Sequence, residues 1–167
     1  LDSTRLLTIS GAGGSGKTRL ALQVAAERIG AFKHGVWFVE LAGLHDPEMV
    51  ARQVASSLDL PEKAGREWSD VLLAFLGDRE LLLVLDNCEH LIDAVAELVM
   101  TMLERSSGLI VMTTSREILN LSGETTWHIP LLSNPTDGHG ANIDDLMAHE
   151  SVQLFVDRAR AASPNLS

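Results

Sequence analysis

Cysteine is nearly absent from this 167-residue chain: Cys88 stands alone, so no internal disulfide can form. That usage suits a reducing compartment, and a cytoplasmic location is the expectation. No apolar run approaches the length of a membrane span, and no leader-like segment opens the sequence. Basic residues are scarce, 13 against 23 acidic ones, for a formal net charge of -10. A surface so short of cations argues against direct nucleic-acid binding by this stretch. The six histidines show no ligand spacing with cysteine or with one another, which argues against a structural metal. Internal repeats and low-complexity segments are lacking too. What remains, 46% hydrophobic and 22% charged, is ordinary globular composition at one-domain length.

One stretch stands out. Gly11-Ala12-Gly13-Gly14-Ser15-Gly16-Lys17-Thr18 satisfies G-x-x-x-x-G-K-[ST] at every required position. Glycines allow successive backbone N–H groups to turn toward one centre and cradle phosphate oxygens. Lys17 supplies positive charge for the β- and γ-phosphates, and the Thr18 hydroxyl can ligate Mg²⁺. Such a loop works between a strand and a helix. Before it, Arg5 to Ser10 reads as a short buried strand; after it, Leu20, Ala21, Val24 and Ala25 mark one face of a helix over 17–29. Arg19, on that helix's first turn, and Pro130, at the end of the fifth strand, complete the expected nucleotide contacts.

The rest of the chain alternates strand and helix. Gly35 to Leu41 reads as the second strand. Asp46-Pro47-Glu48 starts a helix, with Asp46 as cap and proline at the first helical position. A further helix is expected over Trp68 to Leu76. Leu81 to Leu85, five consecutive aliphatics, suit a strand buried on both faces, and Leu91 to Arg105 an amphipathic helix. Leu109 to Thr114 makes a fourth strand, and Glu124 to Pro130 a fifth, more polar one. The pattern implies a parallel sheet with helices on both faces and a ligand at the carboxyl ends of its strands. Residues 1–132 are thus expected to form the nucleotide-binding domain. Ser133 to Asp145, with Asn134-Pro135, Gly138 and Gly140, reads as a loop or linker, and 146–167 as the start of a helical subdomain, helical from Leu146 to Ala162. That the chain opens on Leu1 points to a piece of something longer.

Asp86 ends the most apolar strand. A carboxylate there is costly unless a cation accompanies it, and beside a phosphate loop that cation is Mg²⁺. Arg116, just past the fourth strand, can bind phosphate oxygens bidentately, although an arginine in a surface loop is the plainer reading.

Together these segments resemble one family. Leu6-Leu7-Thr8-Ile9-Ser10 with its loop, Leu82 to Leu91 with Asp86-Asn87-Cys88-Glu89-His90, Thr113-Thr114-Ser115-Arg116-Glu117, Gly123 to Leu131, and Ser151 to Ala159 look like successive motifs of bacterial STAND-type P-loop ATPases related to NB-ARC domains. Such domains occur in large transcriptional regulators of the LuxR and SARP kinds. The resemblance implies an α/β fold, a three-layer α/β/α sandwich on a parallel five-stranded sheet in the order 5-1-4-3-2. It implies a domain that ATP and ADP switch between states, a Walker B role for Asp86, and a γ-phosphate sensor in Arg116. It further implies other domains in a longer chain: a winged-helix lid with a preceding Gly-x-Pro motif, sensor repeats, a DNA-binding domain elsewhere, and nucleotide-dependent self-association.

One departure bears on chemistry. Many relatives carry an acidic residue directly after the Walker B aspartate; here Asn87 stands there and cannot take a proton. Glu89, two residues on, is the candidate for orienting water, with a structural or solvated carboxylate as the alternative. A slow Mg²⁺-dependent ATPase is therefore expected, against a module that holds ADP without turnover or, more distantly, a small-molecule kinase. Among nearby residues, Cys88 is expected to be partly buried packing, His90 to begin a helix, and Trp127 to belong to the core rather than serve as an adenine platform.

Overall fold

The computed structural model describes residues 4–133, 135 and 142–162. Asn134, Gly138 and Gly140 of the expected loop lie outside them, as do Leu1 and residues 163–167. Two units divide the chain, Leu1–Ile129 and Pro130–Ser167.

The first unit is built on strands β1 (Leu6–Ser10), β2 (Val36–Glu40), β3 (Leu81–Asp86), β4 (Leu109–Ser115) and β5 (Glu124–His128). All pairings are parallel and the order is β2-β3-β4-β1-β5, which is the expected 5-1-4-3-2 read from the other edge. Every residue of β3 is buried, because its neighbours β2 and β4 seal its edges and helices cover both of its faces. That is why five aliphatics run on without alternation.

Alternate residues divide the core in two. Leu81, Leu83 and Leu85 join Leu109 and Val111 under helices α2 (Val50–Ser57), α3 (Trp68–Leu76) and α4 (Ile92–Arg105). Leu82, Val84 and Met112 face the other way and meet Ala21 and Ala25 of α1 (Lys17–Glu27). The small alanines let α1 approach the sheet closely. The three layers are therefore unequal: one helix on one face, three on the other. Asp46 caps the turn that leads into α2, accepting from the Glu48 N–H at 3.0 Å, with Pro47 at the first position as the sequence suggests.

The edge strand corrects one expectation. Trp127 is 63% exposed rather than part of the core. It shares the α1 face of the sheet with Ile9, its partner in register, but β5 has a neighbour on one side only, so the indole lies open beside Leu7, Leu20 and Val24.

In the second unit the single expected helix over 146–162 is two helices, α5 (Ile143–Met147) and α6 (Glu150–Ala162). Asn142 caps α5 by accepting from the N–H groups of Asp144 and Asp145, so the helix begins inside the stretch expected to be linker. Ser133 and Glu150 bond reciprocally at the start of α6: Ser133 N–H to Glu150 Oε2 at 3.3 Å, Glu150 N–H to Ser133 Oγ at 3.0 Å. No helix among the described residues is long and apolar enough to cross a membrane.

Candidate functional site

Gly11 to Thr18 links the carboxyl end of β1 to α1. Gly11, Gly14 and Gly16 hold φ of 155°, 77° and 90°. Gly16 sits in the left-handed region at the N-cap of α1, and no side chain among the described residues caps the first turn. No acidic residue lies in that turn either. The helix therefore presents uncapped N–H groups and its positive end to the loop's concavity, an arrangement that favours an anion. The loop closes on itself through the Ser15 N–H to Ala12 O bond at 3.2 Å. Ser15 Oγ is buried with no hydrogen-bond partner among the described residues.

Lys17 is buried, and its Nζ donates to the carbonyls of Gly11 and Ala12, each at 3.0 Å. Those bonds hold the ammonium against the loop's own backbone. The next residue reaches the neighbouring motif: Thr18 Oγ1 donates to Asp86 Oδ1 at 2.9 Å and Oδ2 at 3.1 Å. Asp86 is only 2% exposed, yet hydroxyls rather than a cationic side chain are its partners among the described residues. A buried carboxylate without a counter-charge is expensive. Two hard oxygen donors side by side, one anionic, suit a divalent cation such as Mg²⁺. The donor set fits that ion.

Thr114, which reasoning from sequence did not single out, ties this centre together. Its hydroxyl donates to Asp86 Oδ1 and accepts the Asn87 N–H at 3.0 Å. A signal was present: Thr113, Thr114 and Ser115 close an otherwise aliphatic strand and are all buried, which demands polar partners. Thr113 finds its own in Thr8, hydroxyl to hydroxyl at 2.8 Å.

After Asp86 the chain turns sharply. Asn87 adopts φ 61° and ψ 53°, left-handed values that asparagine tolerates better than most residues, and a 3₁₀ turn over Cys88–His90 follows. The turn brings Glu89 to Arg116: Oε1 lies 3.2 Å from Nε. The other carboxylate oxygen, Oε2, is buried with no hydrogen-bond partner among the described residues. The Arg116 guanidinium also borders the loop, since a Cβ placed on Gly13 would stand 3.1 Å from Nη2.

The remaining residues fall around this core. Cys88 is wholly rather than partly buried, and its Sγ donates to Leu85 O at 3.4 Å. Burial, reinforced by the negative charges of Asp86 and Glu89, pushes its thiol well above the usual range, so it is no nucleophile. His90 ends the 3₁₀ turn rather than starting α4, and its Nε2 bonds Leu44 O at 2.6 Å. Arg19 is exposed on α1. Pro130 opens the second unit.

The structure thus brings the loop, Lys17, Thr18, Asp86, Glu89 and Arg116 to the carboxyl ends of β1, β3 and β4. Known proteins resemble this chain in sequence and in fold. The chain is 40% identical over all 167 residues to a Mycobacterium tuberculosis protein named "Putative HTH-type transcriptional regulator". It spans only 17% of that protein's length. An uncharacterized protein of Mycobacterium bovis is 38% identical over 160 residues, 96% of this chain and 37% of its own. Among solved structures, a signal transduction ATPase with numerous domains and a tetratricopeptide repeat sensor, from Pyrococcus horikoshii, superposes with a TM-score of 0.56 at 18% identity. The match covers 99% of this chain and 24% of that one. The ORC2 protein of Aeropyrum pernix, solved as ADPNP and ADP complexes, gives 0.55 at 15% identity, covering 77% and 42%. These two share the fold. Residues 1–129 match the NB-ARC domain, and the chain belongs to that family.

Proposed function

We propose that this domain binds ATP and ADP at the Gly11–Thr18 loop, hydrolyses ATP slowly with Mg²⁺, and serves as the nucleotide switch of a longer regulatory protein. The observation that carries the reading is the Thr18–Asp86 contact beside the loop, since a hydroxyl paired with a carboxylate is the donor set that a Mg²⁺-bound triphosphate calls for. Loop N–H groups hold the phosphates, and Lys17 leaves the Gly11 and Ala12 carbonyls to neutralise them. Thr18 and Asp86 hold Mg²⁺, which offsets phosphate charge when bound. Arg116 senses the γ-phosphate, Glu89 orients the attacking water, and Arg19 lines the nucleotide's remaining edge. Residues 1–132 form the binding domain, and the helices from Ile143 onward begin a helical subdomain. The regulatory role rests on the mycobacterial relative's name and on the small share of its length that this chain spans.

A second reading, a module that keeps ADP without turnover, draws on Asn87, which occupies the position after Asp86 where a base would stand. Calorimetric titration with ATP and ADP, each with Mg²⁺, alongside phosphate release separates the two. Binding that Lys17→Ala weakens by roughly 10- to 100-fold, the worth of a charge-assisted contact, supports the nucleotide site. Release that Asp86→Asn abolishes supports hydrolysis. Tight ADP binding with no release selects the second reading, and nucleotide binding indifferent to Lys17 overturns both.

A further inference from the structure

Arg116 stands between two anion positions. One is occupied in the protein itself: Glu89 Oε1, 3.2 Å from the guanidinium Nε. The other is the concavity of the loop, whose wall the same guanidinium touches at Gly13. Arg116 lies just past β4 on a side chain that is 64% exposed, so it can move, whereas Glu89 is only 20% exposed and rides on the turn set by Asn87. The carboxylate has one oxygen committed to Arg116 and one buried without a partner among the described residues. A buried carboxylate in that condition depends on its cation. One guanidinium charge divided between Glu89 and a terminal phosphate pairs less fully with each than with one alone.

We propose that Glu89 and Arg116 form a latch that discriminates nucleoside triphosphates from diphosphates. With no γ-phosphate on the loop, Arg116 is held by Glu89, and Glu89 is thereby kept from acting on water. A γ-phosphate draws Arg116 away, and Glu89 is exposed as a proton acceptor only when a triphosphate is in place. The pair thus opposes triphosphate binding and leaves diphosphate binding untouched. This rests on the nucleotide reading given above and adds to it a regulation of the same site.

The latch makes a non-additive demand. Removing the Glu89 charge should tighten binding of a non-hydrolysable triphosphate, because Arg116 no longer has to be released. The effect should vanish when Arg116 is absent. The test is a double-mutant cycle with Glu89→Gln, Arg116→Ala and the pair, titrated with Mg²⁺-ADPNP and Mg²⁺-ADP. Glu89→Gln is expected to bind ADPNP about three- to tenfold more tightly, as a partly exposed ion pair allows, with ADP changed less than twofold. In the Arg116→Ala background the same substitution should change ADPNP binding less than twofold. Unchanged melting temperatures would show that the variants fold. If Glu89→Gln tightens ADPNP equally with and without Arg116, simple repulsion between carboxylate and phosphate is at work and the latch is overturned. Weaker ADPNP binding by Glu89→Gln would mean that Glu89 positions Arg116 for the phosphate, which also overturns it. Failure of the unsubstituted protein to bind either nucleotide would sink the nucleotide reading itself.

Discussion

Thr18 and Asp86, 68 residues apart in sequence, meet through a hydroxyl that donates to both carboxylate oxygens, at 2.9 and 3.1 Å. The contact joins the first turn of α1 to the end of β3, the most deeply buried strand of the sheet. Because β3 is sealed on both edges and both faces, Asp86 is held by a rigid element.

Thr114 should matter to stability as much as to the site. Thr114→Val keeps the shape but removes the donor to Asp86 and the acceptor for the Asn87 N–H. Leaving such buried groups unpaired costs about 1–3 kcal/mol. The urea midpoint should fall accordingly with an unchanged slope; a shift below a few tenths of a kcal/mol would mean that water replaces the hydroxyl.

Two loop glycines should respond differently to alanine. At Gly16, φ of 90° is a conformation an L-residue adopts only at a cost of about 1–2 kcal/mol, so Gly16→Ala should lower stability by that amount. At Gly13 the added methyl meets the movable end of Arg116 instead. Gly13→Ala should leave the melting temperature within a degree or two while shifting the balance between triphosphate and diphosphate binding.

Gly108, far from the loop, permits a close backbone crossing. A Cβ there would stand 2.6 Å from the Arg79 carbonyl oxygen and 3.0 Å from its carbon. Neither atom can rotate aside, and overpacking of this kind costs roughly 1–3 kcal/mol. Gly108→Ala should therefore destabilise the domain by chemical denaturation without changing the ratio of ATP to ADP affinity.

Cys88 sets a limit on the alkaline side. Burial first, then the charges of Asp86 and Glu89, raise its thiol above its ordinary value of 9.0, so the folded protein keeps it protonated while the unfolded chain ionises. Stability from this group is fully present below about pH 9 and is lost above it, by roughly 1.4 kcal/mol per pH unit. Cys88→Ala should flatten that alkaline limb in urea melts at pH 8 to 10. A limb that keeps its slope would assign it to other groups.

Elements whose burial follows their apolar pattern were legible from residue type alone. The strand Leu81–Asp86 and the helix Trp68–Leu76 fall where the apolar runs and their glycine stops placed them. So did the sheet order, once the motifs had indicated the family. Trp127 was misjudged because residue type speaks for burial only when a neighbour exists to do the burying, and β5 is an edge. The break between Met147 and Glu150 escaped notice since apolar spacing continues across it from Leu146 to Val152. The approach of Glu89 to Arg116 depends on the backbone angles of one residue, Asn87, and no spacing rule encodes those.

The order of the strands has a consequence for how the domain comes into being. The loop strand β1 pairs with β4 and β5, whose residues are made more than a hundred positions later, as in Leu6 with Val111 and with Glu124. As the chain leaves the ribosome, β1 and the loop beyond it must wait unpaired while β2, β3 and their helices are synthesised. Contacts so distant in sequence are slow to close. Competence at the loop thus arrives late and all together, when the segment through Ser115 has been delivered, and a domain interrupted before that point should carry the motif without the site.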